Sequence, residues 1–313
     1  MAKFIPLRQT LRSKIAEDRI LVIPGVHDIL SGRLAELSGA EALISSDYAA
    51  HANLLGQPDI GELGLGELAN HYARLCDRVS IPVIADAATG FGEAAQIRRT
   101  VRVLEQTGVS ALIIEDQASP KRSGHMQGKR VIAIVEMLAK LKAALDARTD
   151  SDLMIIARTD ARDVEGLEAA LERAQLYREI GADMLFVEAP LNAEEMRYIC
   201  AEIPAPCLAS NIEGGKSPIL PASLLEDIGY AAVAFPASTS FLAAQIWCRF
   251  YAELMKTGNS ASMAGEMLPF NTFNELLGLP ERREAERKAQ SVALGLMERV
   301  AAQKHKQRLE DEE

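Results

Sequence analysis

The stretch Pro82-Val-Ile-Ala-Asp-Ala-Ala-Thr-Gly-Phe-Gly-Glu-Ala-Ala-Gln-Ile-Arg-Arg-Thr-Val-Arg-Val-Leu-Glu-Gln-Thr-Gly-Val-Ser-Ala-Leu-Ile-Ile-Glu115 decides the fold. Two short β-rich runs, 82–87 and 111–115, flank a segment of helical spacing over 93–107. Neither run alternates strictly between apolar and polar, as expected of strands buried on both faces and joined by a crossover helix. Working outward, the same unit recurs. Strand-like runs fall at Ile20–Val26, Ala42–Ser45, Pro82–Ala87, Ala111–Glu115, Leu153–Thr159, Met184–Glu188, Pro206–Ser210 and Ala231–Pro236. Helical segments lie between them, among them Ile29–Leu37, Glu67–Cys76, Glu93–Thr107, Ile132–Ala147, Gly166–Ile180 and Ala193–Ala201. Eight βα units predict an α/β fold of the (β/α)₈ TIM-barrel type, for which ~250 residues is typical. A doubly wound open sheet is the competitor. Against it, no Gly-x-Gly-x-x-Gly turn follows the first run, which leads into Pro24-Gly25-Val26-His27-Asp28.

The barrel is expected over 1–245 and a helical extension over 246–313. In that extension Pro280 is expected to break a helix near 271–279 from a charged one over 281–307, whose Val292, Leu296 and Val300 share one face. That stripe needs a partner, the barrel or another subunit. Lys and Arg total 34 against 44 Asp and Glu, a net charge of -10, so nothing draws the chain as a whole to nucleic acid or anionic lipid. Hydrophobic residues at 48%, charged at 25% and aromatics at 5% fit an ordinary globular protein rather than a disordered or collagen-like chain. No apolar run approaches the ~20 residues that span a bilayer. A cytoplasmic protein is expected, with Cys76, Cys200, Cys207 and Cys248 as reduced, mostly buried thiols without metal-type spacing.

In a barrel of this type the reacting groups sit at the C-terminal ends of the strands. Read in order, those ends offer His27 and Asp28; Ser45, Ser46 and Asp47; Asp86; Glu115 and Asp116; Arg158, Thr159 and Asp160; Glu188; Ser210 and Asn211; and Ser238. Carboxylates gathered on one rim repel unless a cation or proton lies between them, and oxygen donors suit Mg²⁺ or Mn²⁺. Asp86 and Glu115, on adjacent strands, are the best candidates; taken singly, either could cap a helix or form a surface ion pair. Arg158 is placed for bidentate binding of a carboxylate or phosphate, or for a structural pairing with Asp160. The loop 118–129, with Lys121, Arg122, His125 and Lys129 among glycines, is expected to be a mobile basic lid over an anion, unless its charges are simply solvated.

These features resemble the isocitrate lyase and phosphoenolpyruvate mutase superfamily, in particular its shorter members similar to methylisocitrate lyase. The resemblance rests on Pro24-Gly25 with Asp28, Leu55-Gly-Gln-Pro-Asp-Ile-Gly61, Ala85-Asp-Ala-Ala-Thr-Gly-Phe-Gly92, Ile114-Glu-Asp-Gln117, Pro120-Lys-Arg-Ser-Gly-His125, Ala157-Arg-Thr-Asp160, Glu213-Gly-Gly-Lys-Ser-Pro218 and Phe273-Asn-Glu-Leu-Leu-Gly278. It implies Mg²⁺ (or Mn²⁺) dependence and C–C or P–C bond chemistry on a small anionic 2-oxo or 2-hydroxy acid. Homotetramers, dimers of dimers that exchange C-terminal helices, are implied as well. By position it makes Asp86 the principal metal ligand, with Asp59 and Glu115 acting directly or through water. Candidate catalytic residues are Lys121, Ser123, His125 and Glu115. Candidate substrate-binding residues are Ser45, Ser46, Asp47, Arg158, Glu188, Ser210, Asn211 and Glu213, the family's asparagine aligning with either Ser210 or Asn211.

Four departures limit the transfer. Ala88 stands where the lyases have a second aspartate. Ser123 replaces the lid cysteine, and a hydroxyl is a poor acid beside a thiol of pKa ~8.5. Asp47 adds an acid to the second loop, and Phe241 and Phe273 align with arginines that would pair a tricarboxylate. The reading is a C–C lyase of a small 2-oxo or 2-hydroxy acid, not methylisocitrate itself. Its alternatives are a phosphonopyruvate- or carboxyphosphonoenolpyruvate-type mutase or hydrolase, and a ligand-binding homologue without catalysis.

Overall fold

The computed structural model describes residues 3–310. Its strands are β1 (Leu21–Pro24), β2 (Leu43–Ser45), β3 (Val83–Asp86), β4 (Ala111–Glu115), β5 (Met154–Thr159), β6 (Met184–Val187), β7 (Leu208–Ser210) and β8 (Ala232–Phe235). Each lies within a run read from the sequence. All pair in parallel, β2 through β6 in chain order and β1–β8–β7 as a second group. Bridges from Gly25 to Ile44 and from Leu185 to Cys207 join the groups, so the sheet closes and the open-sheet alternative falls.

The two-residue strand period divides the core into two layers. Ile23, Ile44, Ile84, Ile113, Ile156, Phe186, Leu208 and Ala234 fill the barrel interior, whereas Leu43, Val83, Leu112, Ile155, Leu185 and Val233 pack outward under the helices. The inward series continues at the C-terminal ends as Ser46, Asp86, Glu115, Arg158, Glu188 and Ser210. Sequence parity thus turns an apolar barrel interior into a polar rim.

At the opposite end lies a helix absent from the sequence reading, Ile5–Ile15, begun by Pro6. Its Leu11 and Ile15 join the interior cluster. Arg8 anchors it, 1% exposed, with Nε 3.0 Å from Val109 O and Nη2 2.7 Å from Glu105 O.

The chain divides into two compact units, Met1–Gln245 and Ile246–Glu313. In the second, helices Phe270–Leu276 and Leu279–Glu310 are separated at Gly278, whose φ is 80°. The expected break at Pro280 is therefore corrected. Proline is the second residue of the last helix, where its missing N–H has no partner to lose. Val292, Leu296 and Val300 are exposed on that helix. Among the described residues no helix is long and apolar enough to cross a membrane. All four cysteines are free thiols, Cys76 and Cys207 buried and Cys248 exposed, and burial pushes Cys76 up to about 12.

Candidate active site

The C-terminal rim encloses a cavity of about 200 Å³. Asp86, Arg158, Glu188, Ser210 and Ser46 line it from the barrel; Asp59, Lys121, Ser123, His125 and Glu213 line it from loops. Tyr48, Met126, Ile212 and Phe241 form an apolar side, with the Tyr48 and Phe241 rings edge-on at 6.0 Å and 79°.

Strand parity sorts the neighbouring polar residues. Ser45 points outward, its Oγ 3.0 Å from His71 Nε2 on the helix Leu65–Arg78, so Ser46 takes the cavity position expected of both. Asn211 likewise turns away and donates from Nδ2 to Leu220 O at 2.9 Å, leaving Ser210 on the cavity. These placements correct the assignments of Ser45 and Asn211. Asp116 also lies on the outward face and accepts from Thr159 Oγ (2.7 Å) and Tyr177 Oη (2.9 Å), fixing the end of β5.

On the acidic side, Asp86 accepts from the Ala88 amide (2.9 Å) and the Asp47 amide (3.2 Å). Ala88 holds a left-handed φ of 48° to make this turn. Tyr72 Oη, a group the sequence did not reveal, donates to Asp86 O at 2.7 Å. Burial, with the like charge of Asp47, keeps the Asp86 carboxyl above its ordinary range despite Lys121 and Arg158. Lys121 Nζ bridges Asp59 Oδ2 (2.6 Å) and Asp47 Oδ2 (2.8 Å). Burial pushes Asp47 up, but His51 and Lys121 together outweigh it and hold the carboxyl below its usual value.

His51 follows Asp47 by four residues on the helix Asp47–Leu54, and that spacing was the available sequence signal. Its Nε2 accepts from the Glu62 and Leu63 amides, both at 3.1 Å, while Nδ1 faces Asp47 O at 2.9 Å. The ring is therefore the neutral tautomer with its proton on Nδ1. Although Asp47, His51 and Asp59 cluster at metal-ligand separations, the imidazole has no lone pair to spare.

Both carboxylate oxygens of Glu115 are buried and accept no hydrogen bond, and the same holds for Asp47 Oδ1 and Asp59 Oδ1, which have only His51 Nδ1 near them, at 3.0 and 3.5 Å. Burial pushes Glu115 well up, only partly opposed by Arg158 and Lys121. Orphaned buried carboxylate oxygens are costly. Hard oxygen donors left without hydrogen bonds fit a Mg²⁺ or Mn²⁺ ion, for which Asp86, Asp59 and Glu115 are the candidate holders.

The cationic side centres on Arg158. It makes the bidentate pairing with Asp160, at 2.9 and 3.1 Å, and also lies 3.5 Å from Glu115 Oε2 and 3.9 Å from Glu188 Oε1. Its guanidinium stands over the Phe186 ring at 5.2 Å. Burial would raise Glu188, but Arg158 and His125 together hold it below the usual carboxylate range.

The loop 118–129 departs from the expectation of basic groups awaiting an anion. Lys121 and Lys129 are buried, Lys129 Nζ donating to Gly124 O and lying 2.9 Å from Asp160 Oδ1. His125 Nε2 lies 3.0 Å from Glu188 Oε1, and its Nδ1 accepts from the Lys216 amide at 2.9 Å. The protein's own carboxylates already hold these side chains to the rim. Gly124 is required where the loop touches it, because a Cβ there would fall 2.2 Å from Glu188 Oε1 and 2.4 Å from Arg158 Nη2. Ser123 reaches the cavity, and Glu213 accepts from Ser238 Oγ at 2.7 Å. Phe241 is in the apolar wall; Phe273 belongs to the second unit, on the helix Phe270–Leu276.

A closed (β/α)₈ barrel with titratable groups converging at the C-terminal rim is the arrangement of an enzyme of the TIM-barrel class. The chain belongs to the phosphoenolpyruvate phosphomutase family, whose sequence profile matches residues 11–254. It is 38% identical to 2,3-dimethylmalate lyase of Eubacterium barkeri, over 88% of this chain and 96% of that one. It is 42% identical to 2-methylisocitrate lyase of Aeropyrum pernix, over 90% and 92%. A structure of oxaloacetate acetylhydrolase bound to 3,3-difluorooxalacetate superposes with a TM-score of 0.86 at 30% identity, covering 91% of this chain and 97% of that one.

Proposed function

We propose that this protein is a Mg²⁺- or Mn²⁺-dependent lyase that cleaves a carbon–carbon bond of a small 2-hydroxy or 2-oxo acid other than methylisocitrate. The observation that carries this reading is the facing of Arg158 and Glu188, across one cavity of about 200 Å³, by Asp86, Asp59 and Lys121. Carbon–carbon lyases among the relatives support the reaction type. Asp86, Asp59 and Glu115 hold the cation, and Asp47 adds a fourth carboxylate beside them. A divalent ion there supplies positive charge against the negative charge that develops on the substrate's 2-oxygen.

Arg158, already ordered by Asp160, receives the substrate's carboxylate with Ser46 and Ser210 beside it. The Lys216 amide occupies His125 Nδ1, which leaves the ring's proton on Nε2, beside Glu188 Oε1 at the cavity wall. That places the proton for a departing carbanion on His125 rather than Ser123. Tyr48 and Phe241 offer apolar surface to an alkyl-bearing carbon and no counter-charge to a third carboxylate.

Catalysis is assigned to 1–245. The extension 246–313 serves assembly into a homotetramer, supported by the exposed Val292, Leu296 and Val300. Light scattering at several concentrations tests that assignment, and a monomer at all of them would overturn it.

A screen of 2-oxo and 2-hydroxy acids with Mg²⁺, scored for pyruvate or glyoxylate release, tests the reaction. Release of inorganic phosphate from phosphonopyruvate instead would favour P–C chemistry, and no metal-dependent turnover would favour a binding homologue. On methylisocitrate and isocitrate, Ser123→Cys is expected to gain less than about tenfold, because a better proton donor leaves the apolar wall unchanged. A rescue of a hundredfold or more in steady-state assays would show that the native substrate is a tricarboxylate.

A further inference from the structure

Behind the carboxylates lies a second cavity, of about 180 Å³, which the proposed reaction does not use. Lys121 and Asp47 line one side, and the loop from Ala88 to Gly92 another. Lys140, on the helix Ile134–Ala147, lines it as well. The residue is only 3% exposed, and its side chain makes no hydrogen bond or ion pair with any described residue, so the ammonium meets only the cavity. An ammonium on a largely desolvated side chain favours a counter-charge in contact with it. The nearest carboxylates act on it only through space: Glu93 is exposed and Glu136 half-buried at the cavity wall, with Glu115 and Asp116 more distant in effect.

The wall opposite is made of backbone. Ala88, Gly90, Phe91 and Gly92 have positive φ values of 48°, 88°, 58° and 135°; the Ala88 amide is taken by Asp86 Oδ1 and the Gly90 amide by Ala87 O. The Phe91 and Gly92 amides make no backbone hydrogen bond among the described residues. The 14-residue helix Ala94–Thr107 starts directly after them, bringing the positive end of its dipole to the same wall.

The geometry points to a second binding site here, one that takes a small oxyanion, a carboxylate or inorganic phosphate, between the Lys140 ammonium and the amides of Phe91 and Gly92. The anion gives Lys140 the counter-charge it lacks. Because Lys121 lines both cavities, an anion in the second lies close to the ammonium that Asp47 and Asp59 hold.

Crystals soaked in selenate locate such a site directly. An anomalous peak is expected within hydrogen-bond reach of Lys140 Nζ in the wild type and is expected to vanish in Lys140→Met. In solution, phosphate titrations followed by ³¹P NMR should lose one binding event in Lys140→Met, or weaken it more than tenfold. Glu136→Gln, which removes a repelling charge, should tighten that event. Methionine replaces an amine that makes no ion pair by an apolar chain of similar length, so the variant should melt no lower than wild type and a lost peak cannot be blamed on unfolding. Selenate found only beside Arg158, or phosphate binding unchanged in Lys140→Met, would overturn the site.

Discussion

Asp86→Asn is expected to weaken Mn²⁺ binding by roughly a hundredfold or more and to leave the barrel folded. Asp86 lies at the end of β3 on the interior parity, between the Asp47 and Ala88 amides that orient its two oxygens. Asparagine keeps an oxygen to accept the Ala88 amide and so preserves the left-handed turn, gives up the longer bond from the Asp47 amide, and removes the formal charge that a hard divalent ion requires. Stability should change little, the lost Asp47 bond being offset by the removal of a buried charge. In the cation-free protein burial and Asp47 both disfavour ionised Asp86, so a neutral amide relieves repulsion. Calorimetric Mn²⁺ titration beside a thermal melt reads both effects. Equal Mn²⁺ affinity in the variant would remove Asp86 from the ligand set. A lower melting temperature with normal affinity would make the residue a structural one.

Why Asp86 was legible in the sequence, and Ser46 was not, follows from the barrel's two apolar layers. All eight strand positions could be read, because short unalternating runs separated by helical spacing fit little besides buried parallel strands and their crossover helices. The same lack of alternation hides which parity faces inward. Ser45 and Ser46, or Ser210 and Asn211, are equivalent in the sequence, and only the packing of Ile44 and Leu208 into the interior separates them. The loop 118–129 could be recognised as basic and glycine-rich. That its lysines are neutralised by Asp47, Asp59 and Asp160 depends on contacts across 31 or more residues for Lys129 and 62 for Lys121, which no local pattern encodes. The helix Ile5–Ile15 escaped for a related reason: Arg8 is buried on it, and a buried arginine breaks the expected amphipathic pattern until its carbonyl partners are known.

The second large effect is expected at Arg158. Arg158→Met should abolish turnover and lower the unfolding free energy at pH 7 by about 3–5 kcal/mol, the range for removing one partner of a buried ion pair. The guanidinium is the shared neighbour of Asp160, Glu115 and Glu188, and without it three buried carboxyls face one another. Asp160 makes the effect depend on pH. Burial alone would raise it, but Arg158 and Lys129 bring it from 3.8 down to about 2. A depressed carboxyl stabilises the fold fully above its unfolded pKa and loses that contribution as pH falls through the folded one, here between about 4 and 2. The shift corresponds to about 2 kcal/mol in order of magnitude. In Arg158→Met the Asp160 pKa moves back up, so the variant has less to lose on acidification, and the two proteins should converge in stability toward pH 2.5. Urea unfolding at pH 7 and pH 2.5 measures the convergence. A deficit of the same size at both values would mean that Lys129 alone holds Asp160 ionised. Arg158→Lys, which keeps the charge without the planar fork, should recover part of the stability but little turnover, since bidentate recognition of a carboxylate needs both guanidinium arms.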